Sequence, residues 1–404
     1  MSWSAPVGVL SAHPRFAAVW FASSVSMGGV WLQILAVNWA IVELRASPSV
    51  LGWNSLLLGG PALVLALWGG AAADGKHRRR ILVATQSTYV AMGCVLAGLA
   101  YTGRLQLWHI LTTSFVGGIL SAYDTPSQQA LAMALVPRER VGNAAALDQF
   151  SFNVMRFVGP AVGGLLIKKY GLSVAFVLNA ATSLLYVGAL LAFAGGPGGP
   201  AARGGRPDLL GGLRAVQQVP ELRRAFGLVV LASVLLLPCL SVLMPAFVKQ
   251  DLHGGADTLA LFMSSSGAAS AVAAVALLMV PSRHAVLQMV GACGAALGLV
   301  AMVVLAHPLR SAFAYAGASF FTTLLLASNH IDTQRFTPDD VRGRVMSLSR
   351  TMQRALVPVA ALGLGMLADR WTTARVVFFA GALIVPLGLW RGRPLRRSSN
   401  EVVV

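Results

Sequence analysis

Blocks of about 20 apolar residues, separated by short polar turns, run through the whole chain. A helix of that length crosses the roughly 30 Å hydrocarbon core of a bilayer, whereas membrane β-strands alternate over about 10 residues. Only 11% of the 404 residues are Asp, Glu, Lys or Arg, compared with about 25% in soluble domains. We therefore predict an all-α membrane protein and exclude the disordered, collagen-like and secreted disulfide-rich classes.

Twelve apolar segments are predicted, six on each side of a linker rich in Gly, Pro and Arg. Numbered 1 to 12, they cover residues 16–43, 50–73, 81–101, 107–133, 143–167, 172–194, 224–248, 257–280, 285–306, 310–334, 344–368 and 373–390. Kinks are expected at six prolines inside these segments, Pro61, Pro126, Pro160, Pro238, Pro245 and Pro358.

The predicted domain organisation is two six-helix bundles joined by a solvated linker. The N-terminal bundle covers 1–194, the linker 195–223, the C-terminal bundle 224–391 and a tail 392–404. A short surface helix is predicted in the linker, near Leu209 to Gln218.

The formal net charge of +17 would indicate a nucleic-acid partner in a soluble domain, but the basic residues concentrate in alternate loops. Nineteen of the 31 Lys and Arg residues fall on the side that holds both termini and the linker, eight fall on the other side, and four lie in helices or at their ends. The positive-inside rule then places both termini and the linker in the cytoplasm, and no nucleic-acid partner is expected. The three cysteines stand alone in apolar runs and the seven histidines form no HExxH pattern, so no metal site is predicted.

The two halves of the chain share a pattern with a constant spacing of 201 residues. Four residues recur in this register, namely Pro137, Gly142, Gly164 and Tyr170 as Pro338, Gly343, Gly365 and Trp371. The alternative is chance similarity between two apolar segments. We favour a duplicated six-helix unit, with two pseudo-symmetric bundles related by an axis normal to the membrane, because parallel repeats of this kind are a transporter architecture.

Several motifs resemble those of the major facilitator superfamily. The loop after segment 2 reads Gly70-x-x-x-Asp74-x-x-x-Arg78-Arg79 and resembles the signature between helices 2 and 3 of that family, although Gly75 and His77 depart from it. Stretches that resemble the bacterial drug and siderophore exporter branch are 124–130, 136–140, Asn143-Ala144, Asn153, Arg156, Gly159-Pro160, Gly163-Gly164 and 341–347.

This resemblance implies a secondary active transporter that exports a small amphipathic molecule, a drug or a secondary metabolite, by proton antiport and alternating access. It also implies a monomer in the bacterial inner membrane, with the proton gradient as energy source and no cofactor. Segments 1, 4, 7 and 10 would line the cavity together with 2, 5, 8 and 11. The alternatives are a dedicated siderophore exporter and a non-transporting scaffold or sensor. A membrane enzyme is disfavoured because no constellation of nucleophile, base and metal ligands is present.

A cytoplasmic gate is predicted around Asp74. The start of a helix carries about half a positive charge, so Asp74 could dock on the start of segment 11, near Arg342 and Gly343, when the cytoplasmic side is closed. The alternative is that Asp74 caps segment 3. Arg78 and Arg79 belong to the same motif, and for them anchoring to lipid headgroups is favoured.

Ionisable residues inside membrane helices are costly and are functional by default. Asp124 lies in segment 4 with Gln128 one turn on, and segment 5 places Gln149, Asn153 and Arg156 on one face. Because each charge would otherwise be unpaired at low dielectric, we predict an Asp124–Arg156 pair, serving either the cavity or a packing lock between segments 4 and 5.

Further polar residues are candidates for the cavity or for its proton site. The 201-residue register sets Arg350 and Arg354 opposite Gln149 and Asn153, while Arg335 and Arg350 lie close enough to the helix ends to snorkel. Segment 1 supplies only the uncharged Gln33 and Asn38, so the proton site stays open. Its candidates are Asp124, Glu43, Asp148 and Asp332, with His330 nearby.

The charge bias generates a topology prediction. In a variant without native cysteines, a cysteine at Ser47 or His253 should react with an impermeant thiol reagent in intact cells, and one at Gly204 should not. Labelling of the Gly204→Cys variant from outside would reverse the predicted orientation.

Overall fold

The computed structural model describes residues 4–73, 78–193, 209–279, 284–339 and 341–392, and every regular element in these ranges is helical. The helices are α1 (Ser4–Ala12), α2 (Pro14–Glu43), α3 (Pro48–Ala73), α4 (Arg78–Tyr101), α5 (Leu107–Ala134), α6 (Val141–Tyr170), α7 (Leu172–Phe193), α8 (Leu209–Gln218), α9 (Pro220–Asp251), α10 (Ala256–Met279), α11 (His284–Leu305), α12 (Pro308–Phe336), α13 (Arg342–Arg370) and α14 (Thr373–Gly392).

The predicted helical segments are confirmed, with ends that differ by a few residues. Helices α2 to α7 correspond to segments 1 to 6, and α9 to α14 to segments 7 to 12. The surface helix expected near Leu209 to Gln218 is α8. The predicted linker was too long, because Pro220 starts a helix and the last four residues assigned to the linker are helical. Residues 194–208 of the linker and 393–404 of the tail lie outside the described residues.

Ten of these helices are long and apolar enough to cross a membrane, judged by length and composition over the described residues. Of the twelve long helices, α2 to α7 and α9 to α14, the two not among these ten are α5, whose polar residues include Asp124 and Gln128, and α14, whose apolar part is Thr373–Pro386. A cavity-facing helix carries such residues because only its outer side meets lipid. The count of twelve membrane spans therefore stays a prediction, while the helical membrane fold is established.

The regular α-helical geometry is interrupted within helix α9. This helix contains two π-helical turns, Ala232–Leu236 and Phe247–Asp251, and the first of them ends two residues before Pro238. Proline lacks the N–H that would bond to the preceding turn, and a π-turn re-satisfies the freed carbonyl groups. By contrast, Pro61, Pro126 and Pro160 lie within uninterrupted helices.

Two helix pairs join the halves of the chain, α3 with α13 and α6 with α10. In the numbering of the predicted segments these are pairs 2 with 11 and 5 with 8. A two-fold relation between the halves exchanges each segment with the one six places away, so segment 2 becomes 8 and segment 11 becomes 5, and one pair becomes the other. The interface therefore follows the two-fold relation that the 201-residue register predicted.

A short helix precedes each set of six. Helix α1, which the sequence analysis did not predict, packs on the start of α6 through Val9, Ala144 and Leu147. Helix α8 packs on the start of α13, where the corresponding cluster contains Val345 and Leu348. Val345 and Leu348 lie 201 positions after Ala144 and Leu147 in the sequence. Helices α1 and α8 therefore occupy equivalent places in the two halves.

The bundle has two distinct ends. We call the end where α2 begins and α7 ends the linker face, and the opposite end, with the loops 44–47, 102–106 and 252–255, the short-loop face. Three contacts between the halves lie at the short-loop face. Lys168 Nζ is 2.6 Å from Asp257 Oδ2, the Ser49 N–H donates to Asp369 Oδ1 at 3.1 Å, and Lys249 Nζ is 5.0 Å from the ring centroid of Trp39.

Glycine permits close backbone contact at this end. A Cβ atom added to Gly52 of α3 would be 2.5 Å from Leu362 Cα of α13, and one added to Gly365 would be 2.8 Å from Ser49 Cα. Both distances are too short for any larger residue without movement of the backbone. The short-loop face is therefore closed by direct helix–helix packing in the manner of small-residue membrane interfaces.

This packing generates a prediction with an internal control. Gly52→Leu should overpack the α3–α13 contact, at a cost of about 1–3 kcal/mol, and lower the apparent melting temperature of the purified protein. Gly60 lies on the same helix with nothing within 4 Å of an added Cβ atom, so Gly60→Leu is the matched control. Equal melting temperatures for the two variants would contradict close packing at Gly52.

Candidate functional site

A cavity of about 1160 Å³ lies between the two halves. It extends to the linker-face ends of the N-terminal helices, where Phe16, Met133 and Ala144 line it. Towards the short-loop face it ends below the packed contacts of α3 with α13 and of α6 with α10. In this conformation the substrate-sized space reaches the linker face and is closed at the short-loop face.

The eight helices expected to line the cavity all do so. Segments 1, 2, 4, 5, 7, 8, 10 and 11 contribute through α2, α3, α5, α6, α9, α10, α12 and α13. Two further helices, α4 and α7, also reach the cavity, through Gln86, Tyr89, Asn179 and Ser183 among others. The N-terminal half thus supplies most of the wall.

The two walls differ in the side chains they contribute. The N-terminal wall carries uncharged polar groups in the part nearer the short-loop face, at Gln33, Asn38, Asn54, Ser114, Asn179 and Ser183. The C-terminal wall contributes fewer residues, the apolar Leu240, Val242, Met244, Pro245, Leu259 and Met263 together with Ser241, Ser266, Tyr315 and Arg354. An amphipathic molecule would find both polar and apolar partners in this cavity.

Hydrogen bonds between neighbouring helices hold the amide side chains of the N-terminal wall. The Asn179 amide of α7 donates to Gln33 Oε1 of α2, and Ser114 Oγ of α5 donates to Asn54 Oδ1 of α3 at 2.6 Å. Asn54 and Asn179 are almost fully buried, at 7% and 2% exposure. Buried amides need such partners, so these bonds fix how the helices are rotated about their axes.

Asp124 is bound from the neighbouring helix α4. Its Oδ1 accepts hydrogen bonds from Thr85 Oγ at 2.7 Å and from Gln86 Nε2 at 3.0 Å. Arg156 lies elsewhere: its Nη2 donates to Ser266 Oγ of α10 at 3.4 Å, and its Cζ is 5.8 Å from the ring centroid of Trp31. The predicted Asp124–Arg156 pair is therefore wrong. Thr85 and Gln86 supply the polar partners that the carboxyl group needs inside the membrane.

Most of the predicted cavity residues line this space, whereas Asn153, Arg350, Glu43 and Asp332 do not. Those that line it are Gln33, Asn38, Asp124, Gln128, Asp148, Gln149, Arg156 and Arg354. Asn153 is half-buried outside the lining, and Arg350 is exposed outside it, so only part of each predicted stripe faces the cavity. Glu43 is exposed at the end of α2, on the short-loop face.

Asp332 also lies outside the cavity lining, inside the C-terminal half. It accepts a hydrogen bond from Gln288 Nε2 of α11 at 2.8 Å. Arg335, one turn from Asp332, is exposed, and its Cζ is 5.9 Å from the ring centroid of Phe336. The same type of bond, from a Gln on the third helix of a half to an Asp on the fourth, thus occurs in both halves.

Arg78 and Arg79 are not headgroup anchors. Arg78 is 8% exposed and donates to the Ala130 carbonyl of α5 at 3.3 Å. Arg79 donates to the carbonyls of Leu190 and Leu191 in α7, at 2.9 and 2.7 Å. The C-terminal end of a helix carries partial negative charge, so both arginines stabilise the linker-face ends of α5 and α7.

The remaining gate residues lie at the linker face. Arg342 forms an ion pair with Asp339 in its own loop, and Gly343 in the first turn of α13 has nothing within 4 Å of an added Cβ atom. Asp74, the proposed partner of this helix start, lies outside the described residues.

Several cavity residues were missed by the sequence analysis. Trp31, Phe152, Ser266 and Tyr315 line the cavity but resemble ordinary apolar or small residues in their segments. Asn54, Gln86 and Asn179 had a usable signal, because an amide inside an apolar segment must find a partner, just as a charge must.

The contacts of Asp124 generate a double-mutant prediction. Asp124→Leu and Gln86→Leu should be coupled by about 0.5–3 kcal/mol in apparent stability, because the two side chains share a hydrogen bond. Asp124→Leu and Arg156→Gln should be additive to within about 0.5 kcal/mol. Coupling of the second pair in place of the first would restore the Asp124–Arg156 pair.

The chain resembles known transporters in sequence. The enterobactin exporter EntS of Shigella boydii serotype 4 is 26% identical over 361 residues, which cover 86% of this chain and 83% of the exporter. The staphyloferrin A transporter of Staphylococcus aureus is 28% identical over 153 residues, 38% of each protein. Macrolide efflux protein A of Streptococcus pyogenes is 28% identical over 178 residues, so the match spans 44% of this chain and 42% of that protein.

The fold is shared with solved transporters of low sequence identity. The nucleoside transporter NupG superposes with a TM-score of 0.73 at 12% identity, over 93% of this chain and 98% of NupG. The xylose transporter XylE from E. coli, in its inward-open conformation, superposes with a TM-score of 0.67 at 14% identity, over 94% and 97% of the chains. Residues 5–393 match the model of the transmembrane secretion effector family, and the chain belongs to this family of the major facilitator superfamily.

Proposed function

We propose that the protein is an exporter that moves a small amphipathic molecule out of a bacterial cytoplasm by alternating access. The observation that carries this proposal is the cavity between the halves, which reaches the linker face and is lined by both polar and apolar side chains. The names of two relatives, an enterobactin exporter and a macrolide efflux protein, support export as the direction.

Orientation follows from the charge bias. With nineteen Lys and Arg residues on the linker side against eight on the other, the linker face is cytoplasmic and both termini lie inside. The cavity is then open to the cytoplasm, where an exported molecule is loaded. The two bundles, 1–194 and 224–391, would rock about the cavity, and Asp74 would dock on the start of α13 when the cytoplasmic side closes.

One chain encloses the whole cavity, which is the basis for a functional monomer. Of the carboxyl groups considered for coupling, Asp124 and Asp148 line the cavity, while Glu43 and Asp332 do not. Asp124 is the better placed of the two, because Thr85 and Gln86 both donate to its Oδ1 and can hold the side chain while Oδ2 takes up or releases a proton. We assign Asp124 as the coupling carboxyl group and the proton gradient as the energy source.

A dedicated siderophore exporter is the second candidate, and one observation favours it over a cationic-drug exporter. Arg156 and Arg354 both line the cavity, and among the described residues neither lies within 4 Å of a carboxylate oxygen. Guanidinium groups repel cations and bind anionic or oxygen-rich ligands.

Transport into everted membrane vesicles tests the proposal. A panel of labelled siderophores, macrolides and lipophilic cations should contain at least one compound whose uptake requires the proton gradient and stops with an uncoupler. Asp124→Asn should abolish gradient-driven uptake and retain downhill exchange, because it removes the titrating group while keeping the shape. Arg335→Gln, exposed and outside the cavity, is the control and should transport normally.

Two outcomes would contradict parts of this assignment. Unchanged coupling in Asp124→Asn would move the proton site to another group. A folded protein that transports no compound of the panel, yet changes its stability with one of them, would favour the scaffold or sensor.

A further inference from the structure

Three residues form an aromatic and cationic cluster in the cavity, at the level where the halves meet. Trp31 comes from α2, and Phe152 and Arg156 come from consecutive turns of α6. The rings of Trp31 and Phe152 are in edge contact, with centroids 5.7 Å apart and planes inclined by 71°, and Arg156 Cζ is 5.8 Å from the Trp31 centroid. All three line the cavity, and we call them the Arg156 cluster.

The guanidinium group of this cluster keeps most of its donors available. Its hydrogen bond to Ser266 Oγ of α10 is 3.4 Å long, which is at the weak limit for such a bond. Among the described residues no carboxylate oxygen lies within 4 Å of it, and Asp124 is occupied by Thr85 and Gln86. A guanidinium carries five N–H donors, so several remain for a ligand.

Trp31 positions this group without neutralising it. A cation over an aromatic face is attracted by the ring, but the N–H edge of the guanidinium stays free to bind oxygen atoms. Phe152 is 38% exposed, so part of its ring is open to an occupant. The cluster therefore offers an apolar aromatic surface beside a planar donor edge.

We propose that the Arg156 cluster is a subsite for an aromatic ring that bears an anionic oxygen group, such as a carboxylate or a phenolate. The ring would pack against Trp31 and Phe152 in offset or edge geometry, and the anionic group would meet the guanidinium. An anion at this place lowers the cost of holding a guanidinium in a low-dielectric environment. The role of this subsite in transport rests on the proposed export function, whereas binding of such a ligand does not depend on export.

Three small probes of similar size separate the features of the subsite. They are 2-naphthoate, the cation 2-naphthylmethylammonium and the saturated anion decalin-2-carboxylate. Calorimetric titration of the purified protein should give binding of 2-naphthoate that is at least about tenfold tighter than binding of the other two. The first comparison tests the charge and the second tests the aromatic ring.

Variants then assign the binding to the cluster. Arg156→Gln should weaken 2-naphthoate at least about tenfold, and Arg156→Lys should fall between, because it keeps the charge and loses the planar donor edge. Trp31→Leu should reduce the preference for 2-naphthoate over decalin-2-carboxylate. Arg335→Gln, outside the cavity, should bind as the unchanged protein does.

Ser266→Ala separates a ligand site from a structural tie between α6 and α10. Removal of this hydroxyl should leave 2-naphthoate affinity equal or higher, because it competes for the guanidinium. If Arg156 serves only to tie the helices, 2-naphthoate will not bind and Ser266→Ala will reproduce the loss of stability of Arg156→Gln. If Arg156→Gln does not fold, the 2-naphthoate affinities of Arg156→Lys and Trp31→Leu test the subsite instead.

The outcomes distinguish this proposal from the function itself. Equal binding of the naphthyl cation, or unchanged affinity in a folded Arg156→Gln variant, overturns the subsite. Transport of a panel compound without 2-naphthoate binding also overturns the subsite and leaves export in place. Binding of 2-naphthoate by a protein that transports nothing would support the subsite and contradict export.

Discussion

The cost of polar groups inside a bilayer organises this molecule. A charge or an amide that faces lipid has no water to bind, so each must find a partner within the protein or face the cavity. Asp124 is bound by Thr85 and Gln86, Asn179 is bound to Gln33, and Arg78 is bound to the Ala130 carbonyl. These contacts set the rotation of α2, α4, α5 and α7, and that rotation gives the N-terminal wall its polarity.

The closed end of the molecule depends on a different interaction, direct contact between helix backbones. Small residues let α3 approach α13, and the same small-residue chemistry recurs where Gly164 of α6 meets Ala260 of α10. Such contacts are either fully made or fully separated, because a packed interface does not stretch. Beside them, among the described residues, lie the exposed ion pair Lys168–Asp257 and two other polar contacts, whose contribution is small in water. An interface of this kind suits two discrete states.

Much of the fold could be predicted from the sequence because hydrophobic length and turn residues are local signals. The twelve long helices and α8 follow from them, and the 201-residue register predicted the two-fold relation that the interface between the halves follows. Helix α1 was missed because its few apolar residues precede His13 and Pro14 and resemble an irregular start. The number of membrane spans was harder to predict from hydrophobicity, since α5 is polar on its cavity side.

The site was harder to predict because partners depend on helix rotation and on which helices are neighbours. Asp124 and Arg156 seemed complementary by charge, but α5 packs more extensively on α3 and α4 than on α6, and Gln86 of α4 reaches the carboxylate first. Asn153 shares a helical face with Gln149 and Arg156 by spacing alone, yet it lies outside the cavity lining. Spacing identifies a face of a helix, whereas the tilt and position of neighbours decide how much of that face is open.

The equivalent positions of α1 and α8 have a consequence for how the chain is made. In each half the leading helix is synthesised first, but its docking surface is the start of a helix that comes five helices later. The contact cannot form until that later helix has been inserted, so it is among the most non-local contacts of each half and should be among the slowest to form. Docking of α1, and later of α8, would then mark the moment at which each half has become complete enough to hold its own shape during biogenesis.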